Sequence, residues 1–136
     1  MSKLTSISLA IGALAVGACA HSATKAEYDA AMSRAERDYH EAKEKCEAYS
    51  GNARDICKAD AKAQKAKNEA DAKATYEGTS KARYDQRVAS AEADYKAARQ
   101  RCDDLAGDSK DVCIKEAEAA LARAKADAKM AYRSTY

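Results

Sequence analysis

Two twelve-residue blocks, CEAYSGNARDIC (Cys46 to Cys57) and CDDLAGDSKDVC (Cys102 to Cys113), constrain the fold more than any other feature. In each, Gly followed by Asn or Asp stands at the centre, midway between the cysteines. Gly51 and Gly107 suit the left-handed residue that ends a helix. Asn52 and Asp108 suit the N-caps of new helices, with Asp55 and Asp111 three residues on. The blocks therefore read as helix, tight turn, helix. A chain folded at that point brings Cys46 level with Cys57, and Cys102 level with Cys113, on facing helices. A disulfide closing so short a loop contributes roughly 3 kcal/mol.

Other readings of these cysteines exist. A metal site normally shows closer spacing or a second pair, with histidine. The only histidines are His21 and His40, and neither recurs in the second block. Redox catalysis normally uses Cys-x-x-Cys on a βα unit, which is absent. A straight helix through Gly51 would set the cysteines about 16 Å apart, so that only bonds between chains form. Intrachain clips are the expectation, with no metal and no cofactor.

The blocks belong to a larger duplication. Residues 28–79 align without gaps on residues 84–135, with 20 of 52 positions identical. The matches include Tyr28/Tyr84, Tyr39/Tyr95, Cys46/Cys102, Gly51/Gly107, Cys57/Cys113 and Tyr76/Tyr132. Each repeat opens on a heptad-like stripe: Tyr28, Met32, Ala35, Tyr39, Ala42, Cys46, Tyr49, and then Tyr84, Val88, Ala91, Tyr95, Ala98, Cys102, Leu105. That spacing puts the stripe on one helix face, a seam for another helix or a partner. The second part of each repeat carries alanines instead, at 59, 63, 66 and 70, then at 119, 122 and 126. Alanine lets two helices approach at the close end of the usual 8–10 Å range.

Composition points the same way. Beyond residue 20 the only Ile, Val and Leu are Ile56, Val88, Leu105, Val112, Ile114 and Leu121. Proline, tryptophan and phenylalanine are missing, and Ala, Lys, Glu and Arg, all strong helix formers, dominate. An all-α protein of two tandem disulfide-clipped hairpins follows, coiled-coil-like and elongated, with the hairpins end to end. A four-helix bundle is the alternative. Thr79, Ser80 and Gly78 between the repeats fit either a second reversal or a kink. The expected segments are an N-terminal linker over residues 21–27, the first hairpin over 28–79 and the second over 80–136.

The first twenty residues read as an export signal, with Lys3 ahead of an apolar run too short to span a bilayer. Cleavage after Ala20 would release a periplasmic chain beginning at His21. Alternatively, VGAC (Val16 to Cys19) resembles a lipobox. Cys19, the odd cysteine, would then carry lipid and anchor an outer-membrane lipoprotein facing the periplasm. Membrane attachment is expected only in that case. Disulfides persist in either compartment.

Charge argues against a nucleic-acid partner. The formal total is +2, and opposite signs alternate through KADAKAQKAKNEADAKA (Lys58 to Ala74) instead of forming a basic stripe. Catalytic signatures such as G-x-S-x-G, H-E-x-x-H or a P-loop are absent, so an enzyme is not expected.

The block from Ala93 to Tyr132, ADYKAARQRCDDLAGDSKDVCIKEAEAALARAKADAKMAY, resembles small exported helical proteins of Gram-negative proteobacteria that are grouped as TolA-like or cell-envelope biogenesis proteins. The resemblance implies a non-catalytic envelope protein, a structural or interaction module. It would meet an envelope partner or a second copy through its helical seams, at Tyr28, Met32, Tyr39, Tyr49, Tyr84, Val88, Tyr95 and Leu105. A periplasmic binding, chaperone-like or stress-response protein is the alternative. The sequence does not show the globular C-terminal domain by which TolA itself meets its partners, so an energy-transducing role is not implied.

Overall fold

The structure is a computed structural model that describes residues 23–135. Four helices occupy nearly all of that span: α1 (Lys25–Cys46), α2 (Gly51–Glu77), α3 (Ser80–Cys102) and α4 (Gly107–Arg133). Their ends are set by local chemistry. Thr24 caps α1 in a reciprocal box with Glu27: Glu27 N donates to Thr24 Oγ1 at 3.2 Å, and Thr24 N donates to the Glu27 carboxylate at 2.7 Å. Thr79 Oγ1 accepts from Ala82 N at 3.0 Å and starts α3.

The two clipped turns are built alike. After Cys46, the amides of Glu47, Ala48 and Tyr49 donate three residues back, to the carbonyls of Glu44, Lys45 and Cys46, at 3.1–3.3 Å. Asp103, Asp104 and Leu105 repeat the pattern on Gln100, Arg101 and Cys102. This tightened winding exhausts the helix, and the chain then reverses through Gly51 (φ 57°) and Gly107 (φ 55°). A Cβ at either glycine would meet nothing within 4 Å, so backbone conformation and not space selects glycine there.

These turns correct part of the expected capping. Asn52 and Asp108 lie inside α2 and α4, not at their N-caps, which are Ser50 and Ala106 without side-chain bonds. Asp55 falls beyond the first turn of α2 for the same reason. The Asn52 side chain instead crosses between hairpins, donating to Asp104 at 2.5 Å and accepting from Gln100 at 3.2 Å.

Gly78 resolves the remaining turn. It is left-handed (φ 65°), its amide donates to Ala74 O at 2.9 Å, and the chain reverses instead of kinking. Consecutive helices pack in order, α1 on α2, α2 on α3 and α3 on α4, and among the described residues no other helix pair is in contact. The two disulfide-clipped hairpins thus stand side by side in one up-and-down layer. They are not end to end, and α4 does not close on α1 as in a four-square bundle. Alanine makes this possible: Ala63 of α2 is buried against Ala93 and Ala97 of α3, with Ala66 packed on them.

The core is correspondingly thin. Among the described residues its buried members are ten alanines and two cysteines, Cys46 and Cys102. Each buried methyl is worth about 0.8 kcal/mol, so one disulfide at roughly 3 kcal/mol weighs as much as about four such alanines.

Candidate interaction surfaces

Both disulfides join the residues that the block symmetry pairs, Cys46 to Cys57 and Cys102 to Cys113. The Cα separations of 5.5 and 5.7 Å lie in the ordinary range for such bonds. Each is a clip at the closed end of a hairpin.

Tyrosines fasten the open ends. The Tyr28 ring centroid lies 5.0 Å from that of Tyr76, and Tyr84 lies 5.4 Å from Tyr132. Tyr76 and Tyr132 were absent from the expected stripe. The signal for them is their identity in both repeats together with a position mirroring Tyr28 and Tyr84 about the clipped turn.

The rest of the stripe divides. Met32, Tyr39, Val88 and Tyr95 are half-buried. Tyr39 lies 5.2 Å from the Lys65 ammonium of α2 and 5.8 Å from that of Lys43. Tyr95 joins Ala117 and Leu121 along the groove between α3 and α4. The seam is therefore largely spent within each hairpin. Tyr49 and Leu105 do not belong to it: they follow the tightened turns past α1 and α3 and are 55% and 43% exposed. Heptad counting carried them past the point where the helix stops. Cys19 lies outside the described residues.

Ion pairs stitch neighbouring helices. Within the first hairpin Glu36 of α1 meets Lys65 of α2, and Glu47, just past the end of α1, meets Lys58 (2.7 Å). Asp60 meets Arg101 (2.5 Å) and Lys67 meets Asp94 (2.9 Å) between α2 and α3. Glu92 meets Lys125 (2.7 Å) between α3 and α4. Hydrogen bonds from these lysines hold the carboxyls of Glu36, Glu47 and Glu92 below the usual glutamate range. Glu36 in turn raises Lys65.

The open ends of the two hairpins differ in their surface depressions. An open groove of ≈ 660 Å³ runs between α1 and α2 beside Tyr28, Ala31, Arg34, Asp38 and Asp71. At the matching open end of the second hairpin the recess is ≈ 70 Å³. There Arg87 stands where the first repeat has Ala31, and Arg83 where it has Glu27.

Among the described residues, no group of three or more His, Cys, Asp or Glu could hold a metal ion. No helix among them is long and apolar enough to cross a membrane. In comparisons with protein-family models, curated protein sequences and solved structures, nothing matches this chain.

Proposed function

We propose that the chain is a non-catalytic exported helical protein of the cell envelope, acting as a structural or interaction module. The observation that carries this reading is the pair of repeat-equivalent disulfides, each clipping a hairpin whose buried residues are otherwise alanine. Such clips are useful where thiols stay oxidised, and they are compatible with a compartment outside the cytoplasm. The apolar stretch after Lys3 supplies the route there. The periplasm is the proposed location, with lipidation at Cys19 and an outer-membrane anchor as the variant.

Cell fractionation with intact mass analysis tests this. The expected product is a periplasmic chain starting at His21 with no free thiol. A diacylglyceryl increment on Cys19 establishes the lipoprotein variant. A reduced chain retained in the cytoplasm, leader intact, overturns the proposal.

The groove beside Tyr28 favours a second reading, a chaperone-like or other binding module. That module would retard aggregation of an unfolded client. Ala31→Arg, which copies the second hairpin's Arg87 into the first, would then abolish the effect.

A further inference from the structure

Duplication leaves one helix face without the partner that its equivalent has. In the first repeat α2 packs on both α1 and α3, whereas in the second α4 packs only on α3. The face of α4 that matches the α3-facing side of α2 is bare.

On α2 that side has a simple plan. Ala63 meets Ala93 and Ala97, and an ion pair brackets the contact at each end, Asp60 with Arg101 and Lys67 with Asp94. Along each helix the acid precedes the base by seven residues, so antiparallel packing sets acid opposite base at both ends. The bare face of α4 repeats the plan position by position: Glu116 for Asp60, Ala119 for Ala63, Ala122 for Ala66, Arg123 for Lys67 and Ala126 for Ala70. Glu116 and Arg123 are exposed, and no ion pair is formed by either among the described residues. Together with Val112 and Ala119 they line a shallow depression. Val112 and Met130, 56% and 62% exposed, lie towards opposite ends of the same helix.

We propose that a second copy of this chain docks on this face, the two α4 helices running antiparallel about Ala119 and Ala120, with Glu116 of each copy opposite Arg123 of the other. The face is self-complementary because its acid and base keep the seven-residue order that α2 and α3 use against each other. Such a contact is isologous and closes as a two-fold dimer.

Head-to-tail assembly through the other edge, α1, is blocked. At the positions where α3 buries Ala93 and Ala97 (5% and 4% exposed), α1 carries Arg37 and Glu41. Side chains of that length hold a neighbouring helix away from alanine distance, and burying their charges is costly. The duplication thus has one closed edge and one adhesive edge. This inference deepens the interaction-module reading by naming a second copy as the partner.

Sedimentation velocity on the purified protein, from about 1 µM to 1 mM, tests it. The expected result is a reversible shift from monomer to dimer. Glu116→Arg and Arg123→Glu each turn two attractive pairs into repulsive ones and weaken association about tenfold or more. The double variant E116R/R123E restores the pairing and returns association to within about threefold of the unmodified chain. Arg37→Glu on α1 has no effect. Circular dichroism verifies that each variant keeps its helix content. A monomer at every concentration, growth beyond the dimer, or single reversals that leave the association unchanged would each overturn the proposal. All three outcomes leave the fractionation result untouched, so failure here is distinguishable from failure of the envelope reading.

Discussion

The two hairpins share their fastenings and differ in what they leave uncovered. Each has a disulfide at its closed end and a tyrosine pair at its open end, at equivalent positions. Yet at its open end the first has a wide groove where the second has a small recess lined by Arg83 and Arg87, and the outer edge of the first is charged while that of the second bares alanine. Positions that hold a hairpin together stayed fixed in both copies, while those at the open-end groove (Glu27/Arg83, Ala31/Arg87) and those where α3 meets α2 (Arg37/Ala93, Glu41/Ala97) diverged. The fastenings are scaffold, and the specificity of this chain lies in the faces between them.

The largest test of that division is removal of a clip. Replacing Cys46 and Cys57 by Ser, or Cys102 and Cys113 by Ser, should cost about 3 kcal/mol in either hairpin. In a protein of this size the melting temperature should fall by about 10 °C or more. Most of the circular dichroism signal of helix should survive below the melt, because Ala, Lys and Glu supply helix propensity without the clip. Equal losses in the two hairpins would support interchangeable fastenings. Non-reducing peptide mapping should recover only the Cys46–Cys57 and Cys102–Cys113 peptides.

The next test separates an alanine packed between two helices from its repeat equivalent on the unpartnered face of α4. Ala63→Leu inserts three carbons between α2 and α3 and should destabilise by about 1–3 kcal/mol in a denaturant melt. Its repeat equivalent, Ala119→Leu, lies on the open face of α4 and should change monomer stability by no more than about 0.5 kcal/mol. Similar losses at both positions would mean that α4 is covered within the monomer, contrary to the packing seen.

Much of this architecture was legible in the sequence, for an identifiable reason. A glycine centred between two cysteines, twice, leaves one economical geometry, and the pairing of Cys46 with Cys57 followed from symmetry. The relation between hairpins was not legible, because Gly78 followed by Thr79 and Ser80 fits a kink as well as a reversal. What decided it was packing of Ala63 on Ala93 and Ala97, a long-range fit that no local signal carries. Tyr49 and Leu105 were misplaced because heptad spacing continues through a turn that hydrogen bonding has already tightened and ended. The bare face of α4 was invisible for the opposite reason: its sequence is that of a packed face, and only the absence of a fifth helix exposes it.

Gly51→Ala and Gly107→Ala are smaller perturbations. With open space around each Cβ, the cost is that of holding an L-residue at positive φ, about 1–2 kcal/mol. The two losses should match, since the turns share their hydrogen bonds as well as their backbone angles. A much larger loss at one of them would show that its turn supports more than its own hairpin.

Acid should have the smallest effect, and an unequal one. Glu36, Glu47 and Glu92 have folded pKa values below their unfolded ones, chiefly through hydrogen bonds from Lys65, Lys58 and Lys125. A lowered carboxyl pKa contributes stability that is complete above the unfolded value, near 4.3, and is lost as pH falls through the folded value. Melting temperature should therefore be level from pH 7 to about 5 and decline below about 4.3. Two of the three pairs lie within the first hairpin and one within the second. Glu36→Gln with Glu47→Gln should flatten the acid decline more than Glu92→Gln does. Because all three carboxylates stand in solvent, 0.5 M salt should weaken the pH dependence in every case. A decline that resists salt, or that Glu92→Gln alone removes, would place the acid-sensitive contact between α3 and α4 and reverse the comparison between the hairpins.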